Sequence, residues 1–293
     1  SFQTLPSLKA YYASLLLRNI VATLNAMERW DEALEVLADA LSAYPDFTDL
    51  HYLQGQIHAS RREYRAAVQS FRRAIDLGDH GGDRYLAQAG MGSFYSWHAL
   101  GTLYEMMGDT HEAVRCQRNA IREADGYYAA PVVSLTRLLL QGDPPLEVRR
   151  YMTGIVGDHR RAESLDAIAR VLLAEDHAEH ALAVLAEARE LRPDDAAIRL
   201  TMVDALVRIG DLDGARRQIA TIPPSSSSHL PACAKSVLIG ILAGDPAEAR
   251  AATERIGTLG DGVYAAAYGA AAATLDPDAD PLAIPPGVDR PGV

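Results

Sequence analysis

The chain has 293 residues, 48% hydrophobic and 23% charged, a composition that supports a packed core and is neither disordered nor fibrous. With 28 basic residues against 39 acidic ones the formal charge is −11, which argues against a nucleic-acid binder or an anionic-membrane docker. Two cysteines, Cys116 and Cys233, cannot form a disulfide framework, and no CxxC is present to build a Cys₄ or Cys₂His₂ zinc site.

A reducing, cytoplasmic setting fits this cysteine usage. The first apolar run, Leu15 to Leu17, is cut by Arg18 and makes no secretory leader. The longest weakly polar run, Gly262 to Leu275, falls short of the roughly 20 residues of a membrane span. The chain opens at Ser1 without a methionine and reads as a fragment of a longer protein. Arginine supplies 26 of the 28 basic residues and alanine is abundant, which points to GC-rich bacterial coding. Alanine also favours closely packed helices.

Taken from the N-terminus, a small residue recurs at a fixed interval. Anchors fall at Ala33, Ala67, Ala113, Glu147, Ala181, Ala215 and Ala249, spaced by 34, 46, 34, 34, 34 and 34 residues. Large apolar residues lie four later at Leu37, Phe71, Leu185 and Ile219. Alanines lie seven later at Ala40, Ala74, Ala120 and Ala188. Each anchor marks a second helix B that follows a helix A. The first B helix ends at Tyr44-Pro45 and the fifth at Arg192-Pro193, because proline cannot continue a helix. Gly108-Asp109, Gly210-Asp211 and Gly244-Asp245 form A-to-B turns, glycine for a left-handed cap and aspartate to start the next helix. The wide second interval places an insertion at residues 78–93, read as a longer loop, an extended helix A, or a loop folded over a groove mouth. The fourth unit is degenerate, with Glu147 at the anchor and Gly142-Asp143-Pro144-Pro145 in its turn. Pro223-Pro224 and serines 225–228 form the expected flexible joint. Residues 259–275 are read as a capping helix and 276–293 as a disordered tail rich in Asp, Pro and Gly. The expected organisation is therefore 1–142 for units one to three and the start of four, 143–222 for units four to six, and 223–275 for unit seven and the cap.

The segment Trp97-His98-Ala99-Leu100-Gly101-Thr102-Leu103-Tyr104, with Ala113 and Ala120, resembles the W-x₂-L-G-x₂-Y…A pattern of the 34-residue tetratricopeptide repeat. The resemblance implies an all-α right-handed superhelical solenoid of about seven helix pairs with a C-terminal capping helix. A narrower likeness covers residues 10–140. Tyr44-Pro45-Asp46-Phe47-Thr48-Asp49-Leu50-His51, then Gly55, Leu77-Gly78-Asp79 and Gly90-Met91-Gly92-Ser93, resembles the repeat region that follows the catalytic domain of bacterial family 2 glycosyltransferases. It implies a non-catalytic, partner- or acceptor-binding region, with any nucleotide-sugar domain upstream of Ser1. A stand-alone scaffold or regulatory protein is the alternative reading.

In such repeats helix A lines a concave groove at its second, fifth, ninth, twelfth and thirteenth positions. Counted back from the anchors, unit one offers Arg18 and Asn25, and unit two offers Asp49, Tyr52 and Gln56. Unit three offers Tyr95, His98, Thr102 and Glu105. These nine residues form the expected binding groove for a protein, a peptide or a glycan acceptor. Tyrosine supplies large contact area at low entropic cost. Unit four offers Val132, Thr136, Leu139 and Leu140, an apolar patch if exposed and core if the coil is tight.

Catalytic, metal and cofactor sites are not expected. Asp211-Leu212-Asp213 is a DxD, but it falls in an inter-helix turn. Asp276, Asp278 and Asp280 lack the glycine and glutamate of a calcium loop. His177 and His180 lack a third ligand, and Cys116 and His111 are half a turn out of register for a pair. Arg61, Arg62, Arg65, Arg72 and Arg73 read as a solvated face.

Overall fold

A computed structural model describes residues 5–79, 85–126, 128–259, 267–268 and 271. Among them the chain is all-α. In order come α1 (Leu5–Ala26), α2 (Trp30–Ala43), α3 (Thr48–Ser60), α4 (Tyr64–Leu77), α5 (Phe94–Met106), α6 (Thr110–Ala124) and α7 (Ala130–Leu140). Then follow α8 (Pro145–Ile155), α9 (Arg161–Ala174), α10 (Ala178–Leu191), α11 (Ala196–Ile209), α12 (Leu212–Ala220), α13 (His229–Ala243) and α14 (Pro246–Thr258). Odd-numbered helices are A helices and even-numbered ones are B helices. The expected capping helix at 259–275 lies mostly outside the described residues, and the tail at 276–293 with its three alternating aspartates lies wholly outside them.

The chain divides into two compact units, residues 1–164 and 165–293. Both are solenoids of antiparallel helix pairs. In the first, Leu37, Phe47, Leu50 and Ile57 close a core over α1 to α3. Phe71, Leu100, Tyr104, Cys116 and Leu138 close the next over α3 to α7. In the second, Val203, Ala215 and Ile239 pack together, as do Cys233, Val237, Ala252 and Ile256.

The anchor has one structural meaning in six of the seven pairs: it is the fourth residue of helix B. Ala33, Ala67, Ala113, Ala181, Ala215 and Ala249 all occupy that place and are fully buried. The fourth pair corrects the sequence register. Glu147 is exposed, and Val148 is buried in its place with Met152 four residues on. The cause is the proline pair. A residue before proline is held extended, and Pro144 sits at φ −59°, ψ 139°. Helix α8 therefore starts at Pro145, one residue later than an aspartate-capped helix would, and its fourth residue is Val148.

The turns follow their chemistry. Gly108, Gly210 and Gly244 have φ of +78°, +84° and +67°. The aspartate after each caps the next helix: Asp109 accepts from Glu112 N at 3.1 Å and Asp211 from Gly214 N at 2.8 Å. Asp245 accepts from Ala247 N and Glu248 N, both at 3.0 Å. Glu28, Arg62 and Asp176 occupy the same left-handed position without glycine, at φ of 58°, 60° and 63°. An L-residue in that place carries left-handed strain that glycine avoids.

Candidate functional site

Eight of the nine expected groove residues fall into two groups in the first unit. One group is engaged within the chain. Arg18 on α1 donates to Asp49 on α3 at 3.1 Å, and Asp49 is fully buried. The same Asp49 oxygen accepts the Gln88 N–H at 2.9 Å, and Arg18 reaches the Leu86 carbonyl at 3.4 Å. Burial pushes the Asp49 carboxyl above the usual carboxylate range, against the pull of Gln88 N–H and Arg18. The guanidinium is therefore committed to Asp49 and the insertion.

The described end of the insertion, residues 85–93, is a docked segment. Tyr85 is buried, its ring 4.8 Å from Phe47 and 5.8 Å from Tyr44, and its hydroxyl donates to Asp46. Thr48 Oγ1 donates to the Gly78 carbonyl at 2.8 Å. Asp79 accepts from Gly90 N at 3.1 Å, Gly92 N at 2.7 Å and Ser93 Oγ at 2.7 Å, just ahead of α5. A Cβ on Gly92 would lie 2.1 Å from the Gly78 carbonyl carbon, so backbone meets backbone there. Asp46, Thr48, Asp49, Gly78, Asp79, Gly90, Gly92 and Ser93 all belong to the strings that carry the narrower resemblance. Here they share one physical task, closing the insertion on itself and fastening it to α3 and the turn ahead of it.

The second group is an aromatic cluster. Tyr52 and Tyr95 have ring centroids 6.4 Å apart, and Tyr95 lies 4.8 Å from Tyr128. His98 meets Tyr128 edge-on at 5.3 Å. Gln56 Nε2 donates to the Tyr52 hydroxyl at 3.1 Å. His98 Nδ1 pairs with Gln117 Oε1 at 2.8 Å, and burial lowers the His98 pKa. Thr102 is exposed and back-bonds to the His98 carbonyl at 3.1 Å, while Glu105 lies 3.9 Å from Arg137. Tyr52 also meets Phe71 edge-on, is mostly buried, and its hydroxyl is pushed up to about 12 by that burial. It is a floor, and Tyr95, Tyr128 and His98 are the accessible rim. Asn25 is half-buried on α1 and joins neither group.

Counting helix positions did not find Tyr128, which sits between α6 and α7 and not on a helix A face. Val132 and Thr136 of the fourth pair are buried, and Leu139 and Leu140 half-buried, so the apolar-patch alternative does not describe the first two.

The second unit contains a further concavity, which the sequence reading did not name. A cavity of about 560 Å³ is lined by Arg170, Leu173 and Ala174 of α9 and by Leu200, Asp204, Val207 and Arg208 of α11. Lys235 and Leu238 of α13 complete it. The residues of the lining other than Thr201 and Lys235 occupy the same second, fifth, ninth, twelfth or thirteenth helix A positions, counted back from Ala181, Ala215 and Ala249. The signal was present, and the count had only to be carried past unit four. Each cation has a carboxylate: Arg170 with Asp166 at 2.7 Å, Arg208 with Asp176 at 3.5 Å, and Lys235 with Asp204. A second cavity of about 490 Å³, lined by Leu230, Pro231, Ala234 and Tyr268, shares Lys235 and Leu238 with the first.

The remaining sequence features have structural explanations. Asp211 caps α12, and Asp213 pairs with Arg216 at 2.7 Å, so the DxD is a turn. Arg61 bridges Asp31 and Glu63, and Arg72 donates to the Tyr104 hydroxyl at 2.8 Å. Cys116 is buried and its thiol is pushed up to about 11, a packed sulfur and not a nucleophile. His177 and His180 have rings 6.5 Å apart, and among the described residues no three His, Cys, Asp or Glu side chains gather to hold a metal ion. No described helix is long and apolar enough to cross a membrane.

Tetratricopeptide-repeat family profiles match residues 24–81, 94–125 and 172–235. Superkiller complex protein 3 of Homo sapiens is 38% identical over 47 residues, 16% of this chain and 3% of that protein. The Mus musculus counterpart is 35% identical over 46 residues, with the same shares. The match thus spans a small fraction of those relatives. Among solved structures, pilF of Pseudomonas aeruginosa aligns with 92% of this chain and 94% of its own, at 13% identity and a TM-score of 0.43. The TPR2AB domain of yeast Sti1, solved in complex with pHSP90, aligns with 90% and 97%, at 15% identity and a TM-score of 0.38. With helix pairs, buried small anchors and family profiles in both compact units, the chain carries tetratricopeptide repeats and is a protein-interaction module.

Proposed function

We propose that the chain is a non-catalytic module that holds an extended protein or peptide segment along its helix A faces. The observation that supports this most is the 560 Å³ cavity of the second unit, whose apolar floor of Leu173, Leu200, Val207 and Leu238 is ringed by Arg170, Arg208 and Lys235. Each of these cations is paired with a carboxylate, Asp166, Asp176 or Asp204, so the mouth is close to neutral. The apolar floor therefore favours a segment with an apolar anchor flanked by polar groups that can exchange into those ion pairs. The rim of Tyr95, His98 and Tyr128 in the first unit offers a second contact face, for a protein or a glycan acceptor.

The test is selection from a displayed random-peptide library on the wild-type chain and on a Leu200→Glu, Leu238→Glu variant. The wild type should enrich a consensus with an apolar anchor that the variant, with unchanged helical signal, does not. The same consensus on both would move the site off this cavity.

A finer reading places the chain in a bacterial glycosyltransferase-like protein, as its partner- or acceptor-recognition region with the catalytic domain upstream. Its support is the string from Tyr44 to Ser93, whose residues fasten the insertion. Calorimetry with UDP- and GDP-sugars, with and without Mn²⁺, should be silent for this chain. Saturable micromolar binding would require a donor pocket within it.

A further inference from the structure

The insertion segment Tyr85 to Gln88 is held in the way a recognition groove holds a ligand. Its backbone is read by side chains from two successive A helices. Arg18 donates to the Leu86 carbonyl at 3.4 Å, and Asp49 accepts the Gln88 N–H at 2.9 Å. Both reading residues occupy groove-lining helix positions, the fifth of unit one and the second of unit two. Its one large anchor, Tyr85, is buried between Tyr44 and Phe47 with its hydroxyl on Asp46. Leu86 and Ala87 are half-buried and Gln88 is exposed, so the segment is held by its backbone plus a single side chain. Asp49 Oδ1 is buried and accepts no hydrogen bond among the described residues, which leaves one acceptor for a further donor.

We propose that the mouth formed by α1 and α3 is an extended-peptide site, occupied in cis by Tyr85–Gln88 and able to accept a partner segment with a tyrosine three residues ahead of a free backbone N–H. The site is distinct from the second-unit cavity and stands or falls separately from it. Exchange replaces one tyrosine with another and one carbonyl and N–H with the same groups, so each hydrogen bond broken on release is re-formed with the incoming segment. What keeps the cis segment in place is linkage. A ligand tethered within its own chain competes at an effective concentration of about 1 mM. An untethered peptide of equal affinity therefore loses to it at micromolar concentration.

The experiment uses the full chain, a variant with residues 85–88 replaced by Gly-Ser-Gly-Ser, and a second variant, Tyr85→Ala. The probe is an acetylated, amidated peptide of residues 85–90, with a counterpart carrying alanine for its tyrosine. The replaced variant should bind the tyrosine peptide at least about tenfold more tightly than the wild type does, by isothermal titration. The alanine peptide should bind neither. Should the replaced variant not fold, the Tyr85→Ala chain carries the same test. The tyrosine peptide should raise its melting temperature in a concentration-dependent way and leave the wild type unmoved. Equal affinity for wild type and replaced chain, or no thermal shift of Tyr85→Ala at millimolar peptide, overturns the proposal.

Discussion

Three glycines that look alike in the sequence should respond very differently to alanine. At Gly92 the added Cβ would lie 2.1 Å from the Gly78 carbonyl carbon and 2.3 Å from its oxygen. Neither atom can rotate away, because both are backbone. The insertion and the end of α4 must separate, which strains the Thr48–Gly78 bond of 2.8 Å and the Asp79–Gly92 bond of 2.7 Å. Overpacking costs about 1–3 kcal/mol, and the two hydrogen bonds contribute about 1 kcal/mol each. The total of about 3–5 kcal/mol should lower the melting temperature of the first unit by on the order of 10 °C. At Gly108 a Cβ meets nothing within 4 Å, but φ is +78°. Left-handed strain of about 1–2 kcal/mol, partly offset by reduced freedom of the unfolded chain, leaves a loss of about 1 kcal/mol. At Gly142 there is open space and no left-handed backbone. Alanine there should be neutral or stabilise by up to about 1 kcal/mol. Circular-dichroism melts of the three single variants give the order directly. A Gly92→Ala chain melting within about 2 °C of wild type, or above Gly108→Ala, would refute the close backbone contact.

The corrected register of the fourth pair yields a second expectation. Val148→Glu should destabilise by about 3 kcal/mol or more by burying an unpaired carboxyl, while Glu147→Ala should change stability by less than about 0.5 kcal/mol; the reverse order in urea melts would restore the original register. A third concerns pH. His51 and His98 are both held below their usual 6.5 by burial. The folded chain therefore favours their neutral forms, so their contribution is intact above pH 6.5 and is lost as pH falls below it. The melting temperature should drop between pH 7 and pH 5, and a His51→Gln, His98→Gln variant should show a shallower drop; identical slopes would exclude these histidines.

The sequence alone determined the helix-pair architecture, because a small residue every 34 positions is a local signal. Each pair closes on its neighbours, so the contacts that define the fold recur at the period that reveals it. Six of the seven anchors were legible for that reason. The seventh, Glu147, was misplaced by one residue, since the backbone demand of Pro144-Pro145 outweighs a side-chain count. The site was legible in part. Helix A positions named Tyr52, Tyr95 and His98, and the structure joins them through Tyr128, a loop residue with no periodic signature. The same positions named Arg18 and Asp49, yet only the tertiary structure decided that these two are spent on each other and on the insertion. A periodic count reports which face a residue shares. It cannot report what a non-repeating segment lays upon that face, because Leu86 and Gln88 reach Arg18 and Asp49 through backbone atoms, which every residue carries and no sequence pattern marks.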